Sequence, residues 1–471
     1  MNSPFNERKY RSLLEGLEVS EIRFSELERT KRIDSEYYKK ENLQIISFIK
    51  QRSFQNLTDL VDVSDGNHMS ISDDFVKNGI PYYRGQDIHN FFIENGSPIC
   101  INEETFNKPV LWRSHLKKND ILLSIVGTIG KIALVSTNDR ATCSCKLAIM
   151  RPKNDVSGEL LAIFLNSKYG QNQIQKFVRG TVQMGLILED MDQLFVPQFS
   201  ESFDRQIYQK VRLSKNWREQ SQSVYTRAEE LLLETIGLKN FKPNEKGTNI
   251  KTFKKSFLTT GRLDAEYYQP KYEEIIAKIK KQPYDILGNL VSIKKSIEPG
   301  SDVYSDEGLP FIRVSDYDKF GISMPEKCLL DEFFRENTAL LQSLYPTKGT
   351  ILFSKDGSVG MAYMMHENIQ AVTSGAILHL NVKNKAKILP EYLTLVLNSE
   401  VIQLQAERDV GGSIILHWRV NEIKEVIIPI VPMKIQQQIV DLIDESFNLR
   451  RKSEKLLEEA KEMVEREIEK G

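Results

Sequence analysis

The chain has 471 residues, 40% of them hydrophobic and 27% charged, and its 64 lysines and arginines almost cancel its 65 aspartates and glutamates to leave a net charge of −1. That composition describes an ordinary soluble protein long enough for two or more cored domains, and it excludes a chain that is basic all over while leaving room for basic patches. No stretch approaches the roughly 18 uninterrupted apolar residues of a membrane span, and Asn6, Glu7, Arg8 and Lys9 leave no apolar signal core, so a cytoplasmic location is expected.

In chain order, a polar and basic lead-in over residues 1–45 contains Arg32-Ile33-Asp34-Ser35-Glu36-Tyr37-Tyr38. A body follows at 46–200, with β-like runs at Ile121 to Ser124, Ile132 to Val135 and Leu147 to Met150 between glycine, asparagine and aspartate turns. One amphipathic helix is predicted from Ser157 to Phe177, with Leu160, Leu161, Phe164, Leu165 and Ile174 on its apolar face. A strand ending at Pro197 hands over to a long charged helix, Asp204 to Gly237, within a central segment 201–261. A second body spans 262–432 and a second long helix 433–471.

The second half restates the first. Arg32-Ile33-Asp34 to Tyr38 returns as Arg262-Leu263-Asp264 to Tyr268, and Gly79-Ile80-Pro81-Tyr82-Tyr83-Arg84 as Gly308-Leu309-Pro310-Phe311-Ile312-Arg313. The strand Ile121 to Ser124 with Gly127-Thr128-Ile129-Gly130 becomes Ile351 to Ser354 with Gly357-Ser358-Val359-Gly360, and Val196-Pro197 becomes Ile428-Pro429. The offset drifts only from 229 (Gly79 to Gly308) to 232 (Ile207 to Ile439), so the protein is two copies of one mixed α/β unit.

Both long helices carry a seam of alternating three-and-four spacing. In the first it runs Ile207, Val211, Ser214, Trp217, Ser221, Val224, Ala228, Leu231, Thr235, and in the second Ile439, Ile443, Ser446, Leu449, Ser453, Leu456, Ala460, Met463, Glu467. Small residues at equivalent seam positions permit a close approach, and an antiparallel coiled coil with approximate two-fold symmetry is the expected pairing. At about 1.5 Å per residue such a helix is roughly 50 Å long, a spacer rather than a core element.

Catalytic signatures are weak. Gly127-Thr128-Ile129-Gly130-Lys131 has two residues between its glycines and Ile132 after the lysine, where a phosphate loop needs four and Ser or Thr. There is no Pro-Pro dipeptide, so the box of an amino-methyltransferase is missing. Neither the six histidines nor Cys100, Cys143, Cys145 and Cys328 show metal-ligand or disulfide spacing; no metal site and no catalytic residue is expected.

The duplicated body, the hydrophobic-Pro-aromatic-x-Arg segment, the Gly-[Ser/Thr]-x-Gly turn and the Pro429, Gln436 and Ile439 that open the long helix resemble the DNA-specificity subunit of type I restriction–modification systems. Asp65-Gly66-Asn67-His68 looks like a family element without an evident copy in the second unit, and Asp204 stands where the second helix start has Gln436. The resemblance implies an α+β fold of two tandem target-recognition domains separated by two long helices that form an antiparallel coiled coil with a pseudo-two-fold repeat. It implies a non-catalytic subunit that reads a split, asymmetric target in double-stranded DNA. Two DNA methyltransferase subunits, and in a full complex restriction and translocase subunits, would be its partners; S-adenosylmethionine, and ATP with Mg2+, would sit on those partners and no cofactor on this chain.

Candidate DNA contacts follow from donors placed in turns. Gly127, Thr128, Gly130, Gly357, Ser358 and Gly360 offer backbone amides, with a structural hairpin as the alternative reading. Arg84 and Arg313 suit phosphate or guanine edges, with internal pairing to Asp87 and Asp316 as the alternative. Asn67, His68, Gln86, Lys131, Lys146, Arg179, Thr181, Lys294, Lys295, Ser315, Lys355 and Ser413 complete the set, against the reading that single lysines are merely solvated. The competing function class is a two-headed coiled-coil scaffold that binds protein, which the near-zero net charge favours because phosphate neutralisation supplies much of DNA affinity.

Overall fold

The computed structural model describes residues 6–88, 90–93, 98–153, 156–180, 184–242, 248–325, 327–410 and 416–470. Two compact units emerge. Unit 1 comprises residues 1–217 and 451–471, and unit 2 residues 218–450, so each contains a body and part of both long helices.

In unit 1, strands β1 (Phe54–Asn56) and β10 (Phe195–Pro197) pair where the chain enters and leaves the body. The central antiparallel sheet has the order β2 (Val61–Asp65), β9 (Leu147–Pro152), β6 (Ile121–Ser124), β7 (Ile132–Leu134). Its inner strands read as nearly continuous apolar runs because both faces are covered, and Ile121 to Leu123 and Leu147 to Met150 are buried throughout. A second sheet, β3 (Phe75–Val76), β5 (Ile99–Ile101), β4 (Ile80–Tyr83), β8 (Thr142–Cys143), is antiparallel except for the parallel pair β4–β8.

Unit 2 repeats the framing pair and both four-stranded sheets in the same strand order. Strands β11 (Tyr284–Ile286) and β22 (Ile427–Pro429) frame the body. Its central sheet is β12 (Val291–Lys295), β21 (Ile377–Val382), β18 (Ile351–Ser354), β19 (Ala362–Met364). Its second sheet is β13 (Tyr304–Ser305), β17 (Cys328–Leu329), β14 (Leu309–Ile312), β20 (Val372–Thr373). A short hairpin, β15 (Tyr317–Asp318) with β16 (Gly321–Ile322), has no counterpart among the described residues of unit 1.

The Arg-hydrophobic-Asp-x-Glu-Tyr-Tyr element forms the same knot twice. Arg32 donates to Asp34 from Nε at 2.8 Å, and the Tyr38 hydroxyl donates to the Arg32 carbonyl at 3.2 Å. Arg262 and Asp264 repeat the first contact at 2.9 Å, and Tyr268 repeats the second at 3.0 Å. The guanidinium hydrogen bonds hold Asp34 and Asp264 below the usual carboxylate range. The knot also ties into its body, since Arg262 Nη1 donates to the Asp409 carbonyl at 3.1 Å.

The single helix predicted over 157–177 is two, Gly158–Asn166 and Lys168–Lys176. Ser167 is extended (φ −71°, ψ 164°), and its hydroxyl caps the second helix by accepting from the Gly170 amide. A Cβ on Gly170 would lie 2.4 Å from the Phe164 carbonyl oxygen, so glycine is what lets the two helices close on one another. The apolar face is as expected: Leu161, Phe164, Leu165 and Ile174 are buried in the unit 1 core, with Leu160 packed against it.

The long helices run Glu201–Thr235 and Met433–Lys470. Within unit 1 the Ser214 hydroxyl lies 2.8 Å from that of Ser453, and Lys210 reaches Glu459 at 2.8 Å. Within unit 2 the Ser221 hydroxyl lies 3.0 Å from that of Ser446. Partner numbers fall on one helix as they rise on the other, so the pairing is antiparallel in both units. The seam is not a strict heptad. Trp217, Leu231, Leu449, Met463 and Glu467 are only half-buried, while their neighbours Arg218, Leu232, Arg450, Val464 and Ile468 are buried. The apolar face turns by a residue because each helix also packs on a body: Ile207, Val211, Ala460, Val464 and Ile468 join the unit 1 core, and Tyr225, Ala228, Leu232, Ile439 and Ile443 the unit 2 core. No described helix is long and apolar enough to cross a membrane.

Candidate nucleic-acid interface

At one edge of the unit 1 body, backbone bonds tie several turns together. The Cys145 amide donates to the Asn67 carbonyl at 3.0 Å, Ser144 to Tyr83 at 2.9 Å, and Ile125 to Lys146 at 3.0 Å. Val126 bridges Gly185, and Gly185 exchanges two backbone bonds with Arg179. His68, Arg84, Gln86, Lys146 and Arg179 are thereby brought onto one connected stretch of surface, with Asn67 buried among them.

Their side chains differ in what they offer. Asn67 is buried and closed on itself, accepting from the Met69 amide and donating to its carbonyl, both at 2.9 Å. Arg84 is engaged by Asp87, which accepts from its Nε and Nη2 at 3.0 Å, and Arg313 by Asp316 at 3.2 Å. Both arginines thus make the internal pair that stood as the alternative to a DNA contact. Arg179 is paired with Asp190. Gln86 and Lys146 are exposed, and Lys146 has no ion-pair partner among the described residues.

The Gly-x-x-Gly turns close the β6–β7 and β18–β19 hairpins. Their glycines have positive φ, +84° and +92° at Gly127 and Gly130, and +73° and +85° at Gly357 and Gly360. Several amides are already spent: Gly130 donates to Ser124 at 3.0 Å, Lys131 to the Ser124 hydroxyl at 2.9 Å, Gly360 to Ser354 at 2.9 Å and Gly357 to Leu416 at 2.9 Å. Gly130 and Gly360 face inward against Gln171 and Gln403, which donate to their carbonyls. Gly127, Gly357 and Ser358 form the exposed tips, and Thr128 is half-buried.

In unit 2, Lys294 and Lys295 are exposed on β12; Lys294 donates to the Ser343 carbonyl at 2.5 Å. Ser315 donates to Asp316 at 3.1 Å. Lys355 is paired with Asp356, whose other oxygen lies 2.9 Å from His417 Nδ1. Thr181 and Ser413 lie outside the described residues. His379 beneath Lys294 is buried, its Nε2 lying 2.8 Å from the Thr373 hydroxyl, and burial aided by the Lys294 charge lowers its pKa to about 4.

Asp65-Gly66-Asn67-His68 has a structural counterpart that its sequence conceals. Asn67 bridges Ser144 in parallel, and Ile297 bridges Ser374 in the same way, which sets Lys295-Ser296-Ile297-Glu298 in the matching place. Asp65 anchors a cluster there: one carboxylate oxygen meets His68 and the other accepts from Arg113 at 2.6 Å. Sequence reasoning named His68 but neither Arg113 nor the Asp356–His417 pair, whose members are far apart in the chain. No group of histidine, cysteine and acidic residues suited to a metal ion occurs among the described residues.

Residues 285–462 match the family model of the type I restriction modification DNA specificity domain. No curated protein matches the sequence. Among solved structures, the S subunit of a type I restriction–modification system from M. genitalium is similar, with 14% identity, 88% of this chain and 94% of that chain covered, and a TM-score of 0.36. The HsdS subunit from Thermoanaerobacter tengcongensis is similar at 15% identity, with 88% and 95% covered and a TM-score of 0.29. Likenesses at these scores bear on neither the site nor its chemistry.

Proposed function

We propose that this chain, whose residues 285–462 match the type I restriction modification DNA specificity domain model, is the target-recognition subunit of a DNA-modifying complex. Its two bodies each read one half of a split, asymmetric site in duplex DNA, and it directs partner methyltransferase and restriction subunits to that site. The chain itself performs no catalysis. S-adenosylmethionine, and ATP with Mg2+, belong to the partners.

The observation that carries this reading is the duplication: unit 1 repeats, strand order for strand order, the fold of the unit that contains most of the matched residues. A frame kept twice with different turn residues suits two readers of different sequences. Phosphates would be met by outward donors such as Gln86, Lys146, Lys295 and the Gly127 amide, and base edges by side chains of the same turns. Arg84, Arg313 and Arg179 would reach DNA only by leaving their aspartates, which makes them weaker contacts than their residue type suggests.

The test is a gel shift of duplex DNA with the partner methyltransferase present, across a salt series. A sequence-dependent shift that weakens with salt supports the reading. The balance of 64 basic against 65 acidic residues favours the scaffold alternative, and a chain that binds its partner without conferring sequence preference would establish it.

A further inference from the structure

At one point the two frames superpose in backbone and differ completely in chemistry. In unit 2, Asp356 and His417 form an isolated antiparallel bridge; in unit 1 the bridge at the same place joins Val126 and Gly185. The flanking bonds also repeat: Lys355 donates to Ala376 and Ile125 to Lys146, while Trp418 donates to Lys355 and Leu186 to Ile125. One scaffold position therefore carries an aspartate–histidine pair in one unit, and an aliphatic side chain beside no side chain in the other.

The unit 2 pair is built to present an imidazole. The Asp356 side chain is 18% exposed and bracketed, with Lys355 on one oxygen and His417 Nδ1 at 2.9 Å from the other. The His417 side chain is 62% exposed, and with Nδ1 held by the carboxylate its Nε2 edge is turned to solvent. Its root is rigid, because Trp418, the next residue, is 1% exposed and packs at 5.8 Å from Phe353 in the core. Oriented side chains on stiff roots read base edges, since little freedom is lost on contact.

Unit 1 builds a related constellation at another place, with the histidine held through Nε2 instead of Nδ1. Asp65, 17% exposed, holds His68 on one oxygen and Arg113 on the other, and His68 is 59% exposed. The matching positions in unit 2 are Lys295 and Glu298. Each unit thus mounts an aspartate-held histidine flanked by a cation, on non-equivalent turns of a shared frame.

We propose that His417, oriented by Asp356, is a specificity-determining residue of unit 2 that contacts a base edge of its half-site through Nε2, and that Gly185 leaves the equivalent place in unit 1 without such a contact. The inference rests on the DNA-reading role proposed above. In the complex with its methyltransferase, H417A and H417Q should relax the methylated motif at one or two neighbouring positions of one half and weaken binding of a duplex carrying the native motif about tenfold, at the lower end of what one base contact is worth. The other half should be unchanged, and so should the thermal midpoint of the chain. The converse variant V126D/G185H should alter the other half at the corresponding position. Gly185 accepts a side chain, because its φ is not positive and a Cβ would sit 3.4 Å from the Ile125 carbonyl oxygen, an ordinary contact.

A motif and affinity unaltered by both His417 substitutions would overturn the assignment, as would loss of preference in both halves. A wild-type complex without any sequence preference would instead overturn the DNA-reading role and this inference with it.

Discussion

Ser214 and Ser453 meet with their hydroxyl oxygens 2.8 Å apart, both fully buried, and Ser214 lies 3.0 Å from the Ser453 backbone carbonyl oxygen as well. Ser221 and Ser446 repeat the contact at 3.0 Å in the other unit, with Ser446 donating to the Ser221 carbonyl at 2.8 Å. Side chains this small let the helix backbones approach, and each hydroxyl is satisfied across the seam.

Bulk at these positions should therefore cost more than lost hydrogen bonding. S221L or S453L is expected to destabilise the protein by about 1–3 kcal/mol or more through overpacking, and S221A by about 1 kcal/mol. Urea midpoints of the three variants check the order; equal loss for alanine and leucine would mean that the seam has room.

Much of this was legible in the sequence because it depends on repetition and periodicity. The two long helices, the strand-to-helix order and the serine seam all follow from spacing, which backbone geometry fixes locally. The misread details depend on tertiary contact. Arg218 is buried where Trp217 was expected because the helix packs on a body as well as on its partner helix. The break at Ser167 depends on Gly170 meeting Phe164. Lys295 to Glu298 matches Asp65 to His68 through backbone bridges that leave no trace in residue identity. In the candidate site, residue type named the donors but not their partners. Arg84 with Asp87 was readable at short range, whereas Asp356 with His417 spans 61 positions.

His379 supplies a pH dependence of stability. Its pKa in the folded chain is lowered to about 4, from 6.5 in an unfolded chain. Between those values the unfolded state binds the extra proton, so the neutral, buried histidine stabilises the fold fully above about pH 6.5, and that contribution is lost as pH falls toward 4. The whole shift is worth on the order of 3 kcal/mol. H379Q should flatten the fall in thermal midpoint between pH 6.5 and 4; an unchanged pH profile would show that other groups dominate.

Residues that differ between the bodies should act on one half of the target each. The stretch Ile101 to Trp112 presents Val110 and Trp112, 49% and 62% exposed, where Leu329 to Leu340 of unit 2 presents Leu330 and Leu340 at 38% and 52%. Substituting the exposed side chains of Ile101 to Trp112 is expected to change one half of the methylated motif and leave the other intact. A change in both halves would contradict independent reading.

Helix length should set the unread gap. Because the helices pair antiparallel within each unit, a heptad added between Asn216 and Ser221, in the Asn216 to Glu230 region, needs a matching heptad between Ser446 and Ser453 to keep the serine contacts in register. Seven residues add about 10 Å, which is about three base pairs. The spacer is expected to lengthen while both half-site sequences persist. A folded, active variant that kept its original spacer would remove the ruler role.

The proposed role is the reading of two different short sequences by one chain at a fixed separation. Mapping the methylated adenines in DNA exposed to the complex assembled with its methyltransferase tests it most directly. The expected result is one bipartite, asymmetric motif, with two specified segments flanking a gap of constant length and indifferent sequence. A single continuous motif, a symmetric one, or methylation without sequence preference would contradict it.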